Sequence, residues 1–121
     1  MVVYHMIKMY GLKNCDTCKK AKNDLMQANK PYEIYDFRSD GLEKEKLLDW
    51  SAKLGWETLI NKRGTTWRRL KDTEKSDLNI DELINLVMLN PALIKRPLFE
   101  LDDFVIVGYR EEQKKALGIE G

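Results

Sequence analysis

The chain has two cysteines, three residues apart in Cys15-Asp-Thr-Cys18, where a strand-like run gives way to a helix-like one. Residues 2–10 are rich in β-branched and aromatic side chains and predict a buried strand. Residues 11–14 predict a loop, since Gly11 and Asn14 tolerate tight turns. From Cys15 onward the apolar spacing is helical, with Cys18, Ala21, Leu25 and Ala28 on one face. A C-x-x-C at such a junction is the arrangement used for thiol exchange. Free backbone N–H groups and the positive end of the helix dipole favour a thiolate on Cys15. Lys13, Lys19 and Lys20 add to that field, and Asp16 opposes it. Cys18, one turn on, lies on the same side and can attack a sulfur adduct on Cys15. The plainer alternative is two inert buried thiols.

The rest of the chain frames this junction. Pro31 ends the first helix, because proline disfavours helical geometry in its predecessor. Residues 32–37 alternate and predict a second strand, so the first 37 residues form a βαβ unit with parallel pairing. Residues 42–54 predict a helix closed by Gly55. Residues 56–60 predict a short helix, and residues 65–70 one more turn. Residues 80–89 predict a strong helix capped by Asn79, with Leu83, Ile84, Val87 and Met88 facing the core. Pro91 stops it, and residues 92–95 predict a last helical turn. Residues 97–101 and 104–108 predict a hairpin around Asp102-Asp103. Residues 110–117 predict a terminal helix closed by Gly118. The class is α/β: one domain over 1–121, with βαβ and ββα halves and a helical insertion at about 42–94.

Several function classes are excluded at this level. The net charge of +1 carries no global bias toward nucleic acid or membrane. No apolar run approaches the ~20 residues that a membrane helix needs. The opening Met-Val-Val-Tyr-His-Met-Ile-Lys lacks the basic head and long apolar core of a secretory signal. Two cysteines without such a signal point to a reducing cytoplasm, where a cysteine pair serves redox or metal chemistry. A closed zinc site needs four ligands, and His5 is the sole histidine, expected in a strand or tail. No metal and no bound cofactor are therefore expected.

Four blocks carry a resemblance: Tyr10-Gly-Leu-Lys-Asn-Cys-Asp-Thr17; Asp40-Gly41 with Leu54-Gly-Trp56; Asn61-Lys-Arg-Gly-Thr-Thr-Trp-Arg68; and Leu93-Ile-Lys-Arg-Pro97. Together they resemble the arsenate reductase (ArsC)/Spx family, and within it the YffB-like branch. The resemblance implies a thioredoxin-like fold. It implies that Cys15 is the nucleophile and that Arg96 binds an oxyanion or substrate carboxylate, for which a planar guanidinium fork is suited. It also implies that Pro97 follows a cis peptide bond facing the cysteine loop. Lys13 and Asn14 in the loop and Arg63 in the third block complete the expected substrate-binding set. Arg63 and Arg68 flank Gly64-Thr-Thr-Trp67, which either walls the cysteine or packs Trp67 in a core. Two departures stand out. Asn61 takes the place of the first anion-binding arginine of arsenate reductases. Cys18 is a second cysteine where those enzymes generally use one.

The leading expectation is a thiol-dependent oxidoreductase. Cys15 attacks arsenate or a glutathione mixed disulfide, and Cys18 resolves the adduct. Glutathione or another thiol serves as reductant, with glutaredoxin or thioredoxin as partner. The alternative is a redox-sensing regulator of the Spx kind, gripping an RNA polymerase subunit without reading DNA directly. A third reading is a binding module of the same fold that keeps the cysteines without catalysis.

Overall fold

The computed structural model describes residues 6–76 and 78–119, so His5 and the first part of the expected opening strand lie outside the described residues. Contacts divide the chain into two compact units, one of residues 1–41 with 96–121 and one of residues 42–95.

The first unit holds a four-stranded sheet in the order β2-β1-β3-β4. Its elements are β1 (Ile7–Gly11), α1 (Asp16–Gln27), β2 (Tyr32–Asp36), β3 (Leu98–Leu101), β4 (Phe104–Val107) and α7 (Glu111–Leu117). β1 and β2 pair in parallel, as a helical crossover demands, with Met9 beside Ile34 and Gly11 beside Asp36. The β1–β3 and β3–β4 pairs are antiparallel. Asp102, at φ 51°, makes the tight turn between the last two strands. This βαβ-ββα order is the thioredoxin-like arrangement.

Period-two alternation puts Ile7, Met9, Phe99 and Leu101 on one sheet face. Cys18, Ala21 and Leu25 of α1 pack there, as do Leu117 of α7 and Ile119 after it. Tyr109 follows β4, and its hydroxyl donates to Asp24 Oδ2 at 2.7 Å, tying the strand end to α1. That hydrogen bond holds the Asp24 carboxyl below its ordinary range. It also pushes the Tyr109 phenol up, second to burial among the causes.

Several boundaries differ from the sequence expectation by a residue or two: β2, β3 and β4 are each one residue shorter, the helix expected over 42–54 begins at Lys44, and the turn expected over 65–70 ends at Arg69. Three further differences have a visible local cause. β1 runs through Gly11, expected in the loop, because its carbonyl accepts from the Phe37 N–H at 2.9 Å. Ala28 is exposed and caps the end of α1. Arg110 is the N-cap of α7 rather than its first residue, and its N–H donates to Gln113 Oε1 at 2.9 Å.

The second unit is helical: α2 (Lys44–Leu54), α3 (Trp56–Leu59), α4 (Thr65–Arg69), α5 (Asp72–Lys75) and α6 (Ile80–Leu89). Gly55, at φ 81°, ends α2 and lets α3 start at once. Leu47, Trp50, Leu59, Ile84, Val87 and Leu93 are fully or nearly fully buried. Ile84 and Val87 are the buried members of the expected α6 face, and Leu83 and Met88 are half-buried. The turn expected over residues 92–95 is a 3-10 turn at Pro91–Leu93 instead. Pro91 starts it, and Ile94 leaves it extended to bridge Ile60. α5 was not expected.

The first turn of α6 is closed reciprocally. Asn79 Oδ1 accepts from the Glu82 N–H at 2.8 Å, and Glu82 Oε1 accepts from the Asn79 N–H at 3.5 Å. An Asn79→Ala variant is expected to lose about 1 kcal/mol of unfolding free energy, measured by urea titration. An unchanged midpoint and slope would show that the cap adds nothing.

Candidate active site

The cysteine loop leaves β1 at Gly11 and enters α1 at Asp16, and its geometry is set from both ends. On the strand side, Asp36 at the end of β2 gathers the chain. Its Oδ2 accepts from the Lys13 N–H at 2.9 Å, and its Oδ1 accepts from the N–H groups of Arg38 and Ser39 at 2.7 and 3.0 Å. Partial burial raises the Asp36 carboxyl, but these N–H donors outweigh it and hold the group ionised below its ordinary range. Asp40 completes the corner, its Oδ2 accepting from the Asp36 N–H at 2.7 Å. Asp36 was not among the expected site residues. Its trace in the sequence was local: an Asp shortly before Arg38-Ser39-Asp40-Gly41 marks a side chain that bonds the backbone ahead of it.

On the helix side, Cys15 is the N-cap of α1, with extended backbone. Its carbonyl accepts from the Lys19 N–H at 3.1 Å, opening the helical ladder. Its Sγ accepts from the Cys18 N–H at 3.3 Å. The sulfur thus takes the place that a serine or aspartate oxygen usually fills, at the end of the helix that favours negative charge. Cys15 is half-buried and Cys18 is 4% exposed, and neither is in a disulfide.

Burial pushes the Cys18 thiol up to about 12, with a further rise from its hydrogen bond to Cys15 and from the Cys15 charge. Two groups work the other way: the Leu12 N–H, which donates to the sulfur, and the positive charge of Arg96. Arg96 is half-buried and its Nε is shielded from solvent. Its peptide bond to Pro97 is cis, as the resemblance implied, and the buried Pro97 accepts from the Gly108 N–H at 2.9 Å.

The structure therefore places Lys13, Asn14, Cys15, Cys18, Arg96 and Pro97 in the sheet unit, with Lys13 and Asn14 exposed. Arg63 belongs to the helical unit. It is exposed there, its N–H donating to Asn61 Oδ1 at 3.1 Å and its carbonyl accepting from Arg68 at 2.6 Å. Trp67 in the same block is half-buried, with the Lys62 and Lys75 ammoniums 5.6 and 5.4 Å from its ring centre.

A cavity of about 470 Å³ opens beside the pair. Met9, Leu12 and Ile34 give it an apolar side, Cys18 reaches it, and Lys13, Lys19 and Lys22 stand around it. Asp36 and Asp40 also line it, but their carboxylates accept the backbone N–H groups described above. Among the described residues no cluster of three or more His, Cys, Asp or Glu could hold a metal ion. No helix among them is long and apolar enough to cross a membrane.

A family model described as the ArsC family matches residues 10–117. The chain is similar to a solved protein named YFFB, with a TM-score of 0.84 and 37% identity, covering 92% of this chain and 97% of that one. It is similar to the solution structure of an arsenate reductase (ArsC) related protein from Brucella melitensis, with a TM-score of 0.74, 34% identity and 92% of each chain covered. A sequence relative from Streptococcus mutans, a global transcriptional regulator Spx, is 26% identical over 113 residues, which are 92% of this chain and 82% of the relative.

Proposed function

Because the chain belongs to the ArsC family, we propose that it is a thiol-dependent oxidoreductase in which Cys15 attacks and Cys18 resolves. The observation that carries this reading is the N-cap position of Cys15. Its sulfur accepts from the Cys18 N–H at 3.3 Å, with a second thiol in hydrogen-bond contact behind it. Charge forming on Cys15 meets helix N–H groups, and Cys18 stays protonated and out of the first step.

With a glutathione mixed disulfide as substrate, Cys15 attacks the glutathione sulfur. A new S–S bond forms to Cys15, the old one breaks, and the substrate leaves as a thiol. Cys18 then loses its proton and attacks Cys15 Sγ. The Cys15–Cys18 disulfide forms, reduced glutathione leaves, and an external thiol or a glutaredoxin or thioredoxin restores the pair. With arsenate, the Cys15 sulfur bonds to arsenic and water leaves. Attack by Cys18 on that sulfur passes two electrons to arsenic, releasing arsenite and the same disulfide. Arg96 supplies positive charge beside the sulfurs, and Lys13, Lys19 and Lys22 favour the carboxylates of a peptide thiol. Asn61, where arsenate reductases have an arginine, favours the mixed disulfide of the two substrates.

The test is steady-state turnover on a glutathionylated peptide and on arsenate, with mass spectrometry of a Cys18→Ser variant. The expected result is turnover of the peptide by the parent and a trapped +glutathione adduct on Cys15 in the variant. No turnover of either substrate and no adduct would end the enzyme reading.

The similarity to Spx supports a second reading, in which the same disulfide alters a surface that binds an RNA polymerase subunit. Redox-dependent capture of a polymerase subunit, with no turnover, would favour it.

A further inference from the structure

Gly11 has no side chain for a reason other than backbone freedom. It is the last residue of β1, in register with Asp36, and its φ lies outside the left-handed region. Any L-residue can adopt that conformation. The obstacle is Cys18. A Cβ on Gly11 would lie 2.6 Å from Cys18 Sγ and 3.4 Å from Cys18 Cβ. The sulfur fills a notch whose floor is the bare Gly11 Cα, with the Leu12 N–H donating to it and Cys15 Sγ on a third side. The helix cannot back away, because Ala21 and Leu25 on the next two turns are fully buried against the sheet with Ile7 and Met9. A side chain at position 11 is therefore relieved by rotating Cys18 about χ1, which carries Sγ out of the notch.

We propose that Gly11 is a positioning residue for the resolving step, its missing side chain holding Cys18 Sγ in reach of Cys15. This rests on the dithiol chemistry proposed above. In that step the Cys18 sulfur, its proton released to solvent, attacks Cys15 Sγ of a glutathione mixed disulfide. The Cys15–Cys18 bond forms, the bond to glutathione breaks, and the departing thiolate takes up a proton. Displacement of the attacking sulfur by about an ångström is enough to slow such a step on the order of a hundredfold.

The experiment uses the full chain. Parent and Gly11→Ala are reacted with oxidised glutathione, and two rates are followed by mass spectrometry: addition to Cys15, which releases a first reduced glutathione, and loss of the mixed disulfide as the internal disulfide closes and releases a second. Gly11→Ala is expected to add glutathione at a rate within about twofold of the parent but to close roughly ten to a hundred times more slowly, with the mixed disulfide accumulating. Closure at the parental rate overturns the assignment. If the parent itself takes no glutathione on Cys15, the dithiol reading fails, and the role of Gly11 with it. Should Gly11→Ala not fold, Gly11→Ala in a Cys18→Ala background decides. With no sulfur in the notch that double variant is expected to melt with the Cys18→Ala single variant. An equal loss of melting temperature in both backgrounds shows that the clash is not with the sulfur, and sinks the proposal.

Discussion

Replacing Cys15 by serine is expected to lower turnover of a glutathionylated peptide by about a thousandfold or more, while the protein stays folded. The magnitude follows from losing the nucleophile rather than a contact. A serine hydroxyl can still accept from the Cys18 N–H, as Cys15 Sγ does at 3.3 Å, so the cap of α1 survives. The residue is half-buried at the edge of the core, and the substitution leaves no void. Circular dichroism and the melting temperature should therefore match the parent. The one remaining thiol, Cys18, does not substitute, because it is buried, and burial, the largest of the influences that raise its thiol, persists in the variant. Residual activity above a tenth of the parent's would mean that Cys15 is not the group attacked through, and the assignment of the first step would be wrong. A variant that fails to fold would instead show that the sulfur is needed by the core.

The features legible in the sequence were those written in short stretches. Gly11, the two cysteines, and the spacing of Cys18, Ala21 and Leu25 sit within fifteen residues, and they announced the strand, the loop and the helix together. Asn79, followed by the apolar run of α6, was equally local, although its partnership with Glu82 was not read there. The helical unit was harder, because α5 and the Pro91–Leu93 turn span four and three residues, too short for any period to show. The extended course of Ile94 depends on Ile60, more than thirty positions away, and no local signal carries such a bridge. The cis bond before Pro97 came from family resemblance alone. At the site itself, the spacing put Cys18 near Cys15 but said nothing of what holds it. The loop-gathering carboxylate of Asp36 arises from the register of β1 against β2, and the Gly11 notch and the Leu12 N–H contact arise from the packing of α1 against the end of β1. Register is a property of two strands read together, and for that reason a single stretch does not display it.

The same Cys15→Ser chain permits a second measurement with a large expected shift. Of the influences that raise the Cys18 thiol, burial comes first, and the next two belong to Cys15: its hydrogen bond and its charge. Both vanish when the Cys15 sulfur is bonded to glutathione, and both vanish in Cys15→Ser, whose neutral hydroxyl can donate to a Cys18 thiolate. What then remains is burial on one side, against the Leu12 N–H and Arg96 on the other. Cys18 in Cys15→Ser should therefore titrate below about 12, followed by thiolate ultraviolet absorbance in a chain with a single thiol. The sign follows from which form each influence favours. Removing a neighbouring negative charge favours the thiolate, so the midpoint falls, and at any lower pH each unit of fall raises the thiolate population about tenfold. Adding Arg96→Gln to that chain should move the midpoint back up, because it deletes a positive charge that favours the thiolate. A midpoint in Cys15→Ser at or above 12 would mean that burial alone sets the thiol. The two steps would then not be coupled through charge. If the midpoint does fall, the order of the chemistry is built into the pair. Cys18 stays protonated while Cys15 carries charge and gains its nucleophile only after Cys15 has reacted, so the resolving thiol does not compete for substrate in the first step.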